Sequence, residues 1–92
     1  MSDISTVLNT TGSYSATLEK LKSGTDDVMH IHKSTDQFIY VLSGSISVYI
    51  EDKEELLSAR QSIFINAKKK HKVVNFNSED CEFIMINSRS SK

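Results

Sequence analysis

Two histidines one residue apart, His30 and His32, open the case for chemistry in this chain. In a β-strand, residues i and i+2 point to the same face, so the pair presents two imidazoles side by side. The polar turn Lys33 to Asp36 follows, and Gln37 then opens the apolar run Phe38 to Leu42. A reversal at that turn brings Gln37 back beside the histidine pair on the neighbouring strand. Two neutral imidazole nitrogens and an amide oxygen describe part of a divalent-metal site. The third histidine, His71, is the candidate that completes it. Four neutral donors leave the charge of an ion uncompensated. Such a site favours an anionic or enolate-like ligand, or a hydroxide, at an open position. Mixed nitrogen and oxygen donors suit Mn, Fe, Co, Ni, Cu or Zn, so the metal's identity stays open.

The elements that must carry these residues are short strands. Tyr14, Ala16 and Leu18 alternate with Ser15, Thr17 and Glu19, which predicts a strand to about Lys22. Strands are also predicted over Val28 to His32, Gln37 to Ser43, Glu54 to Ser58, Ser62 to Ile65, His71 to Phe76 and Cys81 to Asn87. Ile46, Val48 and Ile50 alternate with Ser47 and Tyr49. Across a tight connection at Gly44 and Ser45, this run pairs with the preceding strand as a hairpin. Asp3 to Thr11 reads equally as a helix or a strand. Ser23 to Asp27 and Glu51 to Glu55 read as turns, Asn66 to Lys70 and Asn77 to Asp80 as loops, and 88–92 as a frayed end. Many short strands and no long helical period indicate an all-β sandwich or barrel.

Parity assigns faces. Gln37, Ile39 and Val41 share one, and Phe38, Tyr40 and Leu42 the other. Val73 and Asn75 share the face of His71, with Val74 and Phe76 outside. If the metal face looks inward, an outward stripe of Phe, Tyr and Leu invites burial by a partner. The expectation is a homodimer with two-fold symmetry, the alternative being that the N-terminal segment or a surface strand covers the stripe.

The span Gly24–His30–His32–Gln37–Gly44 resembles the first motif of the cupins, G-x5-H-x-H-x3,4-E-x6-G, with Gln37 in place of the glutamate. Residues 60–75 are similar to the second motif, G-x5-P-x-G-x2-H-x3-N. Its histidine falls on His71 and its asparagine on Asn75, while Arg60, Asn66 and Lys68 stand at its glycine, proline and second glycine. The fifteen residues Ser45 to Ala59 match the short spacer of small cupins. The resemblance implies a single-domain, cupin-like jelly-roll β-barrel. It implies one divalent transition metal per chain, held by His30, His32, Gln37 and His71. Two functions stay open. One is a metal-dependent enzyme acting on a small, anionic organic substrate, with no separate catalytic acid or base named. The other is a non-catalytic small-molecule binding or sensing module, with or without metal.

Composition bounds the rest. Ninety-two residues make one small domain, for which oligomerisation supplements the core. A formal net charge of −1 gives no general drive toward nucleic acid or anionic membrane. The run Lys68 to Lys70 reads as a solvated loop, or as a cationic lip on the pocket. Tyr14 and Tyr49 read as packing aromatics or as pocket residues. The one cysteine, Cys81, excludes an intrachain disulfide and reads as a buried, inert thiol. There is no run of ~18 apolar residues and no signal-peptide pattern at the N-terminus, so the expected place is the cytoplasm. With no proline and three glycines, the turns must rest on other residues.

Overall fold

The computed structural model describes residues 4–26, 30–31 and 35–89, with the backbone alone at positions 4, 30, 31 and 89. The strands are β1 (Ile4–Thr10), β2 (Tyr14–Leu21), β3 (His30–Ile31), β4 (Thr35–Ser43), β5 (Ser45–Ile50), β6 (Lys53–Ser58), β7 (Ser62–Ile65), β8 (Lys70–Val74) and β9 (Cys81–Arg89). They form two antiparallel sheets. One has the order β1-β2-β9-β4-β7 and the other β3-β8-β5-β6. This is the expected jelly roll, with the two sheets joined by no ladder among the described residues. Asp3 to Thr11, open between helix and strand, forms β1 from Ile4 onward. Of the strand expected over Val28 to His32, only His30 and Ile31 fall inside the described residues.

The core lies between the sheets. Ile39, Val41, Phe83 and Met85 from the first meet Ile46, Val48, Leu57 and Val73 from the second. Each fully buried aliphatic or aromatic side chain here contributes about 1.5–3 kcal/mol. The parity of Gln37, Ile39 and Val41 holds, with all three buried. Phe38, Tyr40 and Leu42 take the outer face, where Phe38 and Tyr40 are half-buried and Leu42 is exposed.

Three expectations are corrected. β4 and β5 are not a hairpin. β4 pairs with β7 and β9, and β5 with β6 and β8. Gly44 alone carries the chain from one sheet to the other, at φ 77°. A side chain there would set its Cβ 2.5 Å from the Asp80 carbonyl oxygen, so close packing and backbone both require glycine. The second correction concerns Gln37. It does not return beside the histidine pair on a neighbouring strand, because β3 and β4 belong to different sheets. The third is Val74, which is fully buried rather than outside. The crossover after β2 runs along this end of β8 and breaks the simple alternation. There Asp26 bridges Val74, the Gly24 amide donates to the Asn75 carbonyl, and the Asn75 amide donates to the Thr25 carbonyl.

Three charged residues take left-handed turn positions: Glu51 (φ 55°), Arg60 (φ 71°) and Lys68 (φ 73°). Arg60 also donates its amide to the Val41 carbonyl at 2.8 Å, so it caps the turn between β6 and β7. Among the described residues, no helix is long and apolar enough to cross a membrane.

Candidate metal centre

Gln37 sits near the start of β4, between Ile65 on β7 and Asn87 on β9. Strand parity turns it inward, and it is 4% exposed. Its Nε2 donates to Asn87 Oδ1 at 2.7 Å and approaches Met85 Sδ at 3.4 Å. Its Oε1 is buried without a hydrogen-bond partner among the described residues. An orphaned buried acceptor costs roughly 1–3 kcal/mol, so this oxygen suits an incoming donor or cation.

His71 lies on β8 between His30 on β3 and Ile50 on β5. It is 1% exposed. Its Nδ1 lies 3.0 Å from the Lys69 carbonyl oxygen. A carbonyl only accepts, so Nδ1 carries the proton and donates, and Nε2 carries the lone pair. A backbone carbonyl fixing the tautomer in this way is the arrangement typical of ligating histidines. The donor types of Gln37 and His71 therefore fit a divalent ion.

The four sequence candidates are distributed as follows. The ladder sets His30 directly opposite His71. Gln37 comes from the facing sheet. His32 lies outside the described residues, as does the side chain of His30. Among the described residues, no group of three or more His, Cys, Asp or Glu side chains gathers as a metal site.

A cleft of about 470 Å³ opens between β6 and β7, lined by Ile50, Glu51, Asp52, Lys53, Glu55, Ile63, Phe64 and Lys69. Ile50 is the cross-strand partner of His71, and Lys69 supplies the carbonyl that fixes its tautomer. The cleft is therefore next to His71 in the fold. Its rim carries both signs of charge. Of the three consecutive lysines, only Lys69 lines it. Lys70 is tied to the β5–β6 turn, since its amide donates to Glu51 Oε2 at 3.0 Å and the Glu51 amide donates to its carbonyl at 2.8 Å.

Other sequence candidates have different tasks. Asn75 is fully buried and structural. Its Nδ2 donates to the carbonyls of Leu21 and Glu79, and its Oδ1 accepts from the Asn77 amide, tying three segments together. Tyr49 lies under the Lys72 ammonium, which is 5.5 Å from its ring centre. Tyr14 is more than half exposed at the end of the β1–β2 hairpin. Cys81 is buried, and burial, with a smaller push from the Glu82 carboxylate, raises its thiol to about 12. It stays protonated and inert at neutral pH.

Two polar residues escaped the sequence reading. Asn87 follows Phe83 and Met85 in inward parity, a signal that was there to find. Glu19 is 7% exposed and accepts hydrogen bonds from Ser5 Oγ at 2.9 Å and Thr17 Oγ1 at 2.7 Å. Ser5 reaches it by strand pairing from β1, which composition does not reveal, and Thr17 from two positions earlier on β2.

Residues 17–87 match the family described as "Cupin domain". Nothing among curated proteins matches the chain. Among solved structures, TT1209 from Thermus thermophilus is similar with a TM-score of 0.87 at 21% identity, over 95% of this chain and 83% of that one. A cupin-2 domain containing protein from Shewanella frigidimarina superposes with a TM-score of 0.81 at 24% identity, over 97% and 83%. KdgF from a Halomonas species superposes with a TM-score of 0.85 at 24% identity, over 91% and 77%.

Proposed function

Since the chain belongs to the cupin domain family, we propose that it is a divalent-metal-dependent enzyme acting on a small, anionic organic substrate. The proposed ligands are His30, His32, Gln37 and His71. The observation that carries this reading is the buried Oε1 of Gln37, which has no hydrogen-bond partner among the described residues. From the facing sheet comes His71, with its proton committed to the Lys69 carbonyl. A bound divalent ion supplies Lewis-acid polarisation of a carbonyl or a water. The chain's own residues bind and orient. Asn87 and Met85 hold the Gln37 amide, Lys69 fixes the imidazole, and the apolar core shields both from water. The neutral ligand set favours a negatively charged partner at an open position. The cleft beside His71 is the proposed way in.

A second reading, a non-catalytic binding or sensing module, draws on the chemistry around Gln37. Asn87 and Met85 do not titrate, so they recognise without moving protons.

We also propose that two copies associate through the outer face of the five-stranded sheet. One cross-strand row there is Ala16, Ile86, Phe38 and Phe64, and the next is Leu18, Ile84 and Tyr40. At its border Lys20 stands opposite Glu82, and a two-fold axis that sets Lys20 on the copy's Glu82 meets each charge with its opposite. A reducing compartment such as the cytoplasm suits the buried free thiol.

Elemental analysis of tag-free protein, purified without added metal, tests the metal. About one equivalent of a transition metal per chain is expected. An empty protein that also refuses added metal would leave the binding module as the reading.

A further inference from the structure

The amide of Gln37 has two chemically different ends, and two neighbours decide which faces where. Met85 Sδ lies 3.4 Å from one end. A thioether has lone pairs and no proton, so only the N–H end fits beside it. Asn87 lies 2.7 Å from the same end and must then present its oxygen. Both neighbours sit on β9, whose register sets Asn87 opposite Gln37 and Met85 opposite Ile39. What remains is the buried Oε1, without a partner among the described residues.

We propose that Asn87 is a positioning residue. With Met85 it holds the Gln37 amide so that its oxygen, and not its N–H end, is offered to a cation. The same pair explains why glutamine suits a position where the family motif carries glutamate. This inference rests on the metal-site reading above. A reversed amide would meet a cation with two N–H donors and no lone pair. A carboxylate at position 37 would set an anionic oxygen against Met85 Sδ, an acceptor. It would also need Asn87 to turn its own amide over. Once it did so, either carboxylate oxygen would serve, because the two are equivalent. Orientation by Asn87 therefore matters for an amide and is irrelevant to a carboxylate.

The test is calorimetric titration of Co(II) alone into metal-stripped protein, with circular dichroism confirming the fold of each variant. Asn87→Leu is expected to weaken Co(II) binding by about 10-fold or more, in the range of outer-shell partners. Asn87→Asp keeps an acceptor oxygen and is expected to hold the wild-type affinity or exceed it. In a Gln37→Glu background, Asn87→Leu is expected to change affinity little. Equal losses in both backgrounds would mean a packing role and would overturn the proposal, as would wild-type affinity in Asn87→Leu. Should Asn87→Leu not fold, Asn87→Ala is read the same way. Wild-type protein that takes up no Co(II) would remove the metal reading and this inference together. Uptake with an indifferent Asn87 would remove this inference alone.

Discussion

His30 and His71 stand directly opposite one another on antiparallel strands, although forty-one positions separate them in the chain. The register is the backbone relationship on which the proposed ligand pair depends. His71→Ala is expected to weaken uptake of a divalent metal by at least ~100-fold, beyond the loss typical of outer-shell partners. His30→Ala should do the same, and full metal occupancy in either variant would sink the ligand assignment.

Gly44→Ala should cost about 2–4 kcal/mol, combining left-handed backbone strain with a blocked approach. The blocking atom is the backbone carbonyl of Asp80, which has no rotamer to retreat into. Urea unfolding measures the cost. A loss under ~0.5 kcal/mol, the scale of ordinary surface substitutions, would show that the crossover relaxes.

Arg60→Gly and Lys68→Gly should each stabilise the fold by about 0.5–1 kcal/mol. Relief of left-handed strain outweighs the added freedom of the unfolded chain. For a chain of this size that is a rise in melting temperature of several degrees. Both positions correspond to glycines of the second family motif, and both have φ above +70°. An unchanged or lower melting temperature in both variants would contradict this account.

Ile86→Asp places a charge in the middle of the outer apolar rows of the five-stranded sheet. Sedimentation should show wild-type dimers and variant monomers at micromolar concentration. Wild-type protein that sediments as a monomer would remove the dimer.

Local alternation made the inward faces legible. Gln37, Ile39 and Val41 needed only a period of two. The motif alignment set Arg60 and Lys68 at glycine positions, and the structure gives both a left-handed backbone. Sheet membership was not legible. A single glycine between two alternating runs reads as a hairpin, yet the same residue at φ 77° sends β5 into the other sheet. Nothing within fifteen residues of Gly44 distinguishes the two outcomes, because the deciding partners, β7 to β9, lie further along the chain. The inward parity of Asn87 is local, but the same distance hides its pairing with Gln37, which appears only when β9 is laid against β4.

The placement of β9 also governs when this fold can exist. β9, the last in chain order of the described strands, fills the middle of its sheet, between β2 and β4. During synthesis, β1–β2 and β4–β7 must wait as separate pieces with their apolar inner faces open. Only when residues 81–89 leave the ribosome can the two halves be joined. Assembly is then dominated by pairings such as Leu21 with Cys81, sixty positions apart. Chains of such topology refold in milliseconds to seconds rather than microseconds. A nascent chain halted before Cys81 is accordingly a species for chaperones, with unpaired strand edges on both sides of a gap.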